Sequence, residues 1–366
     1  MRKFESGLYF HSAATAKMVF LKQDERKNAM TYAVSAVVLV LFALTLLIGI
    51  KKSNTQGNRE LLGRYNVLRG IFAVEIIVGH VIRFESTPLY PLGKVMLISV
   101  AFFFFVSGWG MTLSYHSKKD YLNGFLRKKC GYLLMLAVVT YAFRWLMTYL
   151  ILHINMINGS FLHDFFDKTN WYIWELIIFY VLFWGAYKYL KKGRIAAITV
   201  VTVIMIIAFF YGNMLQGYYS SALAFPLGIA FGEYYEKITG WLNSRKGVMA
   251  TIALTALGGS SLLLDEKSLA GMVFLRNTMC VAALFILFYI LSYFRFSNRV
   301  LEWLKEISTE LYLFQFVWLN VYGALITDWK IKLPVVVVST FVTAVAMYWI
   351  LRPVKKIFAV HTGIKN

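Results

Sequence analysis

The sequence predicts an all-α protein, a polytopic bundle of about ten or eleven membrane-spanning helices. Three observations carry that reading. Apolar residues make up 59% of the chain and charged residues only 15%, against roughly 45–50% and about 25% in soluble domains. The apolar residues come in long runs, most of them close to the roughly 20 residues a helix needs to cross a bilayer. Those runs hold almost no proline, and a helix satisfies its own backbone polar groups in lipid where an open strand cannot. The same composition excludes a water-soluble globule. With 30 Phe, 23 Tyr and 10 Trp in 366 residues it also excludes a disordered chain.

Taken in order, a basic tail at 1–30 precedes a first apolar run at 31–50. The second run, 68–84, carries Glu75 between Arg69 and His80, and the third, 95–115, is rich in phenylalanine. A run at 131–152 follows the basic residues Arg127, Lys128 and Lys129, and one at 171–190 opens on an aromatic cluster. Further runs lie at 195–211, at 218–235 with Pro226, and at 248–264 with Gly258 and Gly259. The last three span 272–294, with Arg276 inside, 308–327, with Glu310, and 333–351, with Pro334. Beyond them, 352–366 is a short basic tail. No internal repeat or low-complexity tract interrupts the series.

The formal charge of +20 is distributed between the apolar runs and not along one stripe, which fits topology and argues against a nucleic-acid partner. From residue 51 onward the linkers alternate. Those holding Lys51, Lys52, Arg59 and Arg64, then Lys118 to Lys129, then Lys188 to Arg194, are basic, as are those around Lys237 to Lys246 and Arg295 to Lys305 and the C-terminal tail. The loops at 85–94, 153–170, 212–217 and 265–271 carry at most one cation each. Short-loop bias sets orientation, so the basic set and the C-terminus are expected in the cytoplasm, in a plasma membrane of bacterial type. Eleven spans then place the N-terminus outside, against the charge of Arg2, Lys3, Lys17, Lys22, Arg26 and Lys27. A start at Met30 would remove that conflict. Two cysteines, Cys130 and Cys280, make no disulfide framework.

The run from Leu68 to His80 carries the most chemistry. Arg69 and His80 are eleven residues apart, which at about 100° per residue returns them to one helix face about 16 Å apart along the axis. That geometry is read as Arg69 at the cytoplasmic mouth and His80 deep in the bilayer. Imidazole is the side chain that gives and takes a proton near neutrality, and an intramembrane histidine is either a base or an interhelical hydrogen-bonding group. The remaining histidines fall near helix ends or in loops, so no multi-histidine metal cluster is expected. Ser107 and Gly108 in the next run allow close helix approach. Arg127, Lys128 and Lys129 at the following helix entrance either hold a phosphate or serve as a topological basic loop. Glu175, in the aromatic-rich run, either meets a substrate or forms an interhelical ion pair, and Trp171, Tyr172 and Trp174 either stack on a sugar or anchor the interface.

Asn66-Val67-Leu68-Arg69-Gly70-Ile71 with His80, the Phe-rich Ser107-Gly108 stretch and the basic helix entrance together resemble the acyltransferase-3 family of membrane acyltransferases. Asn170-Trp171-Tyr172-Ile173-Trp174 and Ile307-Ser308 with Leu311-Tyr312-Leu313 are similar to two later segments of that family, so the resemblance covers about 64–351 and leaves 31–50 as an additional helix. It implies transfer of an acyl group, commonly acetyl, from cytoplasmic acyl-CoA to a carbohydrate hydroxyl on the outer side, with acyl-CoA as co-substrate and no bound cofactor or metal. By the same resemblance Arg69 and His80 are the essential pair. Arg127 with Lys128 and Lys129, and Ser107 with Gly108, would handle the acyl-CoA, while Trp171, Glu175 and Gln315 would meet the acceptor. The chain departs from the family pattern at Asn66, where aspartate is frequent, at Gln315, where histidine is frequent, and at the usually apolar position of Glu75. Polysaccharide-assembly proteins are expected partners beside the bilayer and the carbohydrate. A glycan or lipid-precursor exporter and a non-catalytic member of a polysaccharide assembly complex are the competing readings.

Overall fold

In the computed structural model, the described residues are 48–53, 57–83, 90–155, 165–166, 171–262, 268 and 270–359. The basic tail at 1–30 and nearly all of the additional span at 31–50 lie outside them. Ile48 and Gly49 form a turn leading into a short strand, β1 (Ile50–Lys52), which pairs antiparallel with β2 (Phe294–Phe296).

The fold is an all-α bundle in which six of the described helices are long and apolar enough to cross a membrane. The first is built from α1 (Asn58–Val67) and α2 (Arg69–Ile82), joined at Leu68, whose N–H bonds back to Tyr65 with a tightened 3₁₀ step. Sequence placed the start of this span at 68, because Arg59, Glu60 and Arg64 depress the hydropathy of α1. Those charges are accommodated in the bundle. Arg64 is buried and donates to the carbonyls of Ser53, Leu291 and Ser292, and pairs with Glu60. The earlier start corrects the expected depths. In a 25-residue span from Asn58 to Ile82, Arg69 stands about halfway along and His80 sits in the last turn.

Next come α3 (Tyr90–Ser117), α4 (Phe125–Leu152), α5 (Trp171–Tyr189) and α6 (Arg194–Tyr211). Gly124 and Gly193, at φ +66° and +73°, occupy the left-handed region just before α4 and α6, where a side chain would be strained. The expected span at 218–235 is broken into α7 (Gly217–Ser220), α8 (Ala224–Glu233) and α9 (Tyr235–Leu242). Pro226 lies in the first turn of α8, where no intrahelical N–H is lost. The buried side chain of Asn277 bridges the break, donating to the Tyr219 carbonyl at 2.7 Å and accepting from the Leu223 N–H at 3.3 Å. Backbone groups freed within a membrane need such a substitute.

A shorter helix, α10 (Arg245–Gly259), is followed by α11 (Arg276–Tyr293), entered through a π-helical turn at Ala270–Leu275. Then α12 (Arg299–Leu325), capped by Asn298 at the Leu301 N–H, and α13 (Trp329–Ala359) complete the chain. The central helix is α3, with 72% of its apolar window buried, whereas α6 buries 17% and turns outward. Two seams are closed by glycine. A Cβ on Gly108, Gly228 or Gly232 would strike α8 or α3 across their interface, and one on Gly70 would strike the Leu304 backbone of α12. The basic linkers gather at one end of the bundle. There the Arg194 guanidinium lies over the rings of Tyr115 and Tyr187, His116 meets Glu233 at 2.9 Å, and Phe358 packs on Tyr132.

Candidate active site

A cavity of about 410 Å³ opens among α1, α2, α3, α4, α5 and α12. Arg69 reaches it because Leu68 tightens the helix just before it, and because Gly70 lets α2 lie directly on α12. Its guanidinium stands 5.9 Å from the centroid of the Phe103 ring, and its buried Nε has no hydrogen-bond partner. Lys129 lines the same space from the second turn of α4. It is exposed, and the surface it exposes includes cavity wall. No aspartate or glutamate is among the lining residues, so neither cation is neutralised there.

The remaining wall is hydroxyl-rich and aromatic. Ser107 and Tyr180 share a hydrogen bond of 3.0 Å, and Tyr121, Tyr132, Tyr172, Thr309 and Tyr312 also face the space. The Tyr121 phenol, in the connection before α4, is pushed up by burial and stays neutral as a donor. Two cations and a set of neutral donors, in a lining free of carboxylates, suit an anion with oxygen acceptors.

The expected acyl-CoA residues therefore divide. Arg69, Ser107 and Lys129 converge on the cavity, joined by Asn66. Arg127 is exposed and, two residues before Lys129, projects to another side of α4. Lys128 is also outside the lining. Gly108 faces away from the cavity, onto the Phe225 carbonyl of α8, which is the packing role open to it in the sequence.

His80 is not among the lining residues. Its Nδ1 lies 2.7 Å from the Met96 sulfur and its ring centroid 5.0 Å from that of Phe316. A thioether has no proton to give, so this contact has Nδ1–H donating and leaves the Nε2 lone pair open. Phe316 is one helical turn, about 6 Å, after the cavity-wall residue Tyr312 on α12, so the imidazole packs on the residue one turn beyond that wall. Close by in sequence, Arg83 donates to Gln216 at 2.8 Å.

The expected acceptor residues lie elsewhere in the bundle. The Trp171 ring packs on Gly217 and on Tyr218 at 5.5 Å. Glu175 is fully buried, with neither carboxylate oxygen hydrogen-bonded among the described residues. Gln315 is buried and donates to the Tyr312 carbonyl at 2.8 Å. Glu75, the unusual acid in α2, accepts from Ser99 at 2.5 Å, and Glu310 is paired with Lys355 at 2.6 Å. Of the cavity phenols, Tyr172 was a sugar-stacking candidate and Tyr312 lay in a family-like segment, whereas Tyr121, Tyr132 and Tyr180 were not identified as site residues from the sequence. A signal was present in α5, where Tyr172, Leu176 and Tyr180 recur every fourth residue on one face.

The family model described as "Acyltransferase domain", of the acyltransferase-3 type, matches residues 62–352, most of the chain. No match was found among curated proteins or solved structures. The match spans both halves of the Arg69–His80 pair and every residue that lines the cavity, and the chain belongs to the acyltransferase-3 family.

Proposed function

We propose that this membrane acyltransferase takes an acyl group, acetyl in the simplest case, from acyl-CoA and transfers it to a hydroxyl of a cell-surface carbohydrate or its lipid-linked precursor. The observation that carries the reading is the pair of cations, Arg69 and Lys129, in one cavity whose lining holds no carboxylate. Coenzyme A is a polyanion, and charge-assisted bonds to its phosphates are the strong kind. The phosphates sit against Arg69 and Lys129, and the thioester arm runs along the Tyr312–Phe316 face of α12 toward His80.

At His80 the Nε2 lone pair removes the proton of the acceptor hydroxyl as its oxygen attacks the thioester carbonyl. The C–S bond breaks, the thiolate leaves, and it takes up the proton carried by the imidazolium. General-base assistance of this kind contributes typically 10²–10⁴ in rate, and holding donor and acceptor together contributes further. The acceptor comes from the opposite side, in a cell whose basic loops and C-terminus are cytoplasmic.

The test is a His80→Ala variant in the native host, with surface glycans analysed by mass spectrometry. Acylation is lost while protein abundance and glycan export stay normal. Retained acylation with arrested export would replace this reading with the exporter.

A further inference from the structure

Away from the cavity, a groove of about 520 Å³ runs between α10 and α11. Its walls include Val248, Ile252, Thr255 and Ala256 of α10 and Ile286 and Tyr289 of α11. The hydroxyls in the wall are already engaged, Thr251 with the Gly247 carbonyl, Thr255 with that of Thr251 and Tyr289 with that of Leu242. The groove therefore presents hydrocarbon. It lies beside a helix whose Val273–Tyr293 segment is apolar enough to span a membrane, and Ile252 and Met249 beside it are 64% and 60% exposed.

At one end the groove meets charge. The stripe Val248, Ile252 and Ala256 continues one turn earlier to Arg245, at the helix start. Arg245 and Lys246 are exposed and have no ion-pair partner among the described residues. On the other wall the stripe Ile286 and Tyr289 continues to Tyr293, which is exposed, as is Trp241 nearby in the α9–α10 corner. An apolar slot within the bilayer, opening at a level marked by a Tyr, a Trp and two cations, has the layout of one half of a phospholipid site.

We infer that this groove holds an anionic glycerophospholipid, with one acyl chain between α10 and α11 and the phosphate at Arg245 and Lys246. The site is independent of the acyl-transfer reading.

Native mass spectrometry of the full chain, released from micelles containing equal amounts of dioleoylphosphatidylglycerol and dioleoylphosphatidylcholine, tests it. The unaltered protein retains the anionic lipid in preference. Arg245→Gln with Lys246→Gln, both at exposed positions, reduces that preference, by about fivefold per cation removed. Ala256→Trp fills the slot and lowers the retained lipid count by one for either headgroup, with an unchanged melting temperature as the folding control. Equal retention of the two lipids by the unaltered protein would overturn the inference. So would an unchanged lipid count in the filled variant, or a two-chain species that Ala256→Trp converts to one chain, since the occupant would then be a second copy.

Discussion

Arg69 shares its cavity with an aromatic face, phenols and Lys129 but with no carboxylate, and that is its usefulness. A guanidinium already paired to a carboxylate would have to break that pair before meeting a phosphate. Removing it by Arg69→Ala is expected to weaken acyl-CoA binding by about 10- to 100-fold, the equivalent of one charge-assisted interaction of roughly 1.5–3 kcal/mol, read by calorimetry on protein in detergent. Lys129→Met acts in the same direction. Arg127→Ala weakens binding less than Lys129→Met, because Arg127 faces out of the cavity. The reverse order would move the phosphate site to the outer turn of α4. Met96 holds the other end of the device. With Met96→Leu the acceptor for His80 Nδ1–H disappears, so kcat falls by less than in His80→Ala while the KM for acyl-CoA stays unchanged. A rise in KM instead would make Met96 part of the donor site.

At the scale of elements, the interrupted helix at 217–233 shows how a polar residue in one span can license a break in another. Asn277→Leu leaves the Tyr219 carbonyl and the Leu223 N–H without their side-chain partner, at a cost of about 2–4 kcal/mol, seen as a lower melting temperature in detergent. An unchanged melt would mean that the break needs no partner. This element also marks the limit of what periodicity reveals. Long apolar helices were readable because their length and hydropathy need no knowledge of neighbours, α6 to one residue and α3 and α4 with starts five and six residues late. The break was not, because its stabilising group lies 54 residues away from Leu223 in α11. The site divides likewise. Arg69, Ser107 and Lys129 were legible from motif and charge, whereas Tyr121, Tyr132 and Tyr312 enter the cavity only once α4 and α12 are packed beside α2. Gly108 was ambiguous in sequence and is resolved by α8. Gly228→Val puts three extra carbons against the Phe105 backbone and is expected to destabilise by at least the 1–3 kcal/mol typical of overpacking.

For the molecule as a whole, charge placement and packing agree. The contacts of Arg194, His116, Arg64 and Phe358 bring the basic linkers to one end, as loop bias requires of a protein inserted in a single orientation. A membrane-impermeant maleimide should therefore label Lys191→Cys, in the exposed α5–α6 linker, in inverted vesicles and not in intact cells; labelling in intact cells would reverse the orientation. The glycine seams have a bearing on movement. They clamp α3 to α8 and α2 to α12 backbone against backbone, and neither pair can slide without a clash. Lys129 rides on α4, whose apolar segment is only 28% buried. The cavity thus has a wall locked backbone to backbone on one side and a less deeply packed helix on the other, and entry of a bulky donor is expected to displace α4 first.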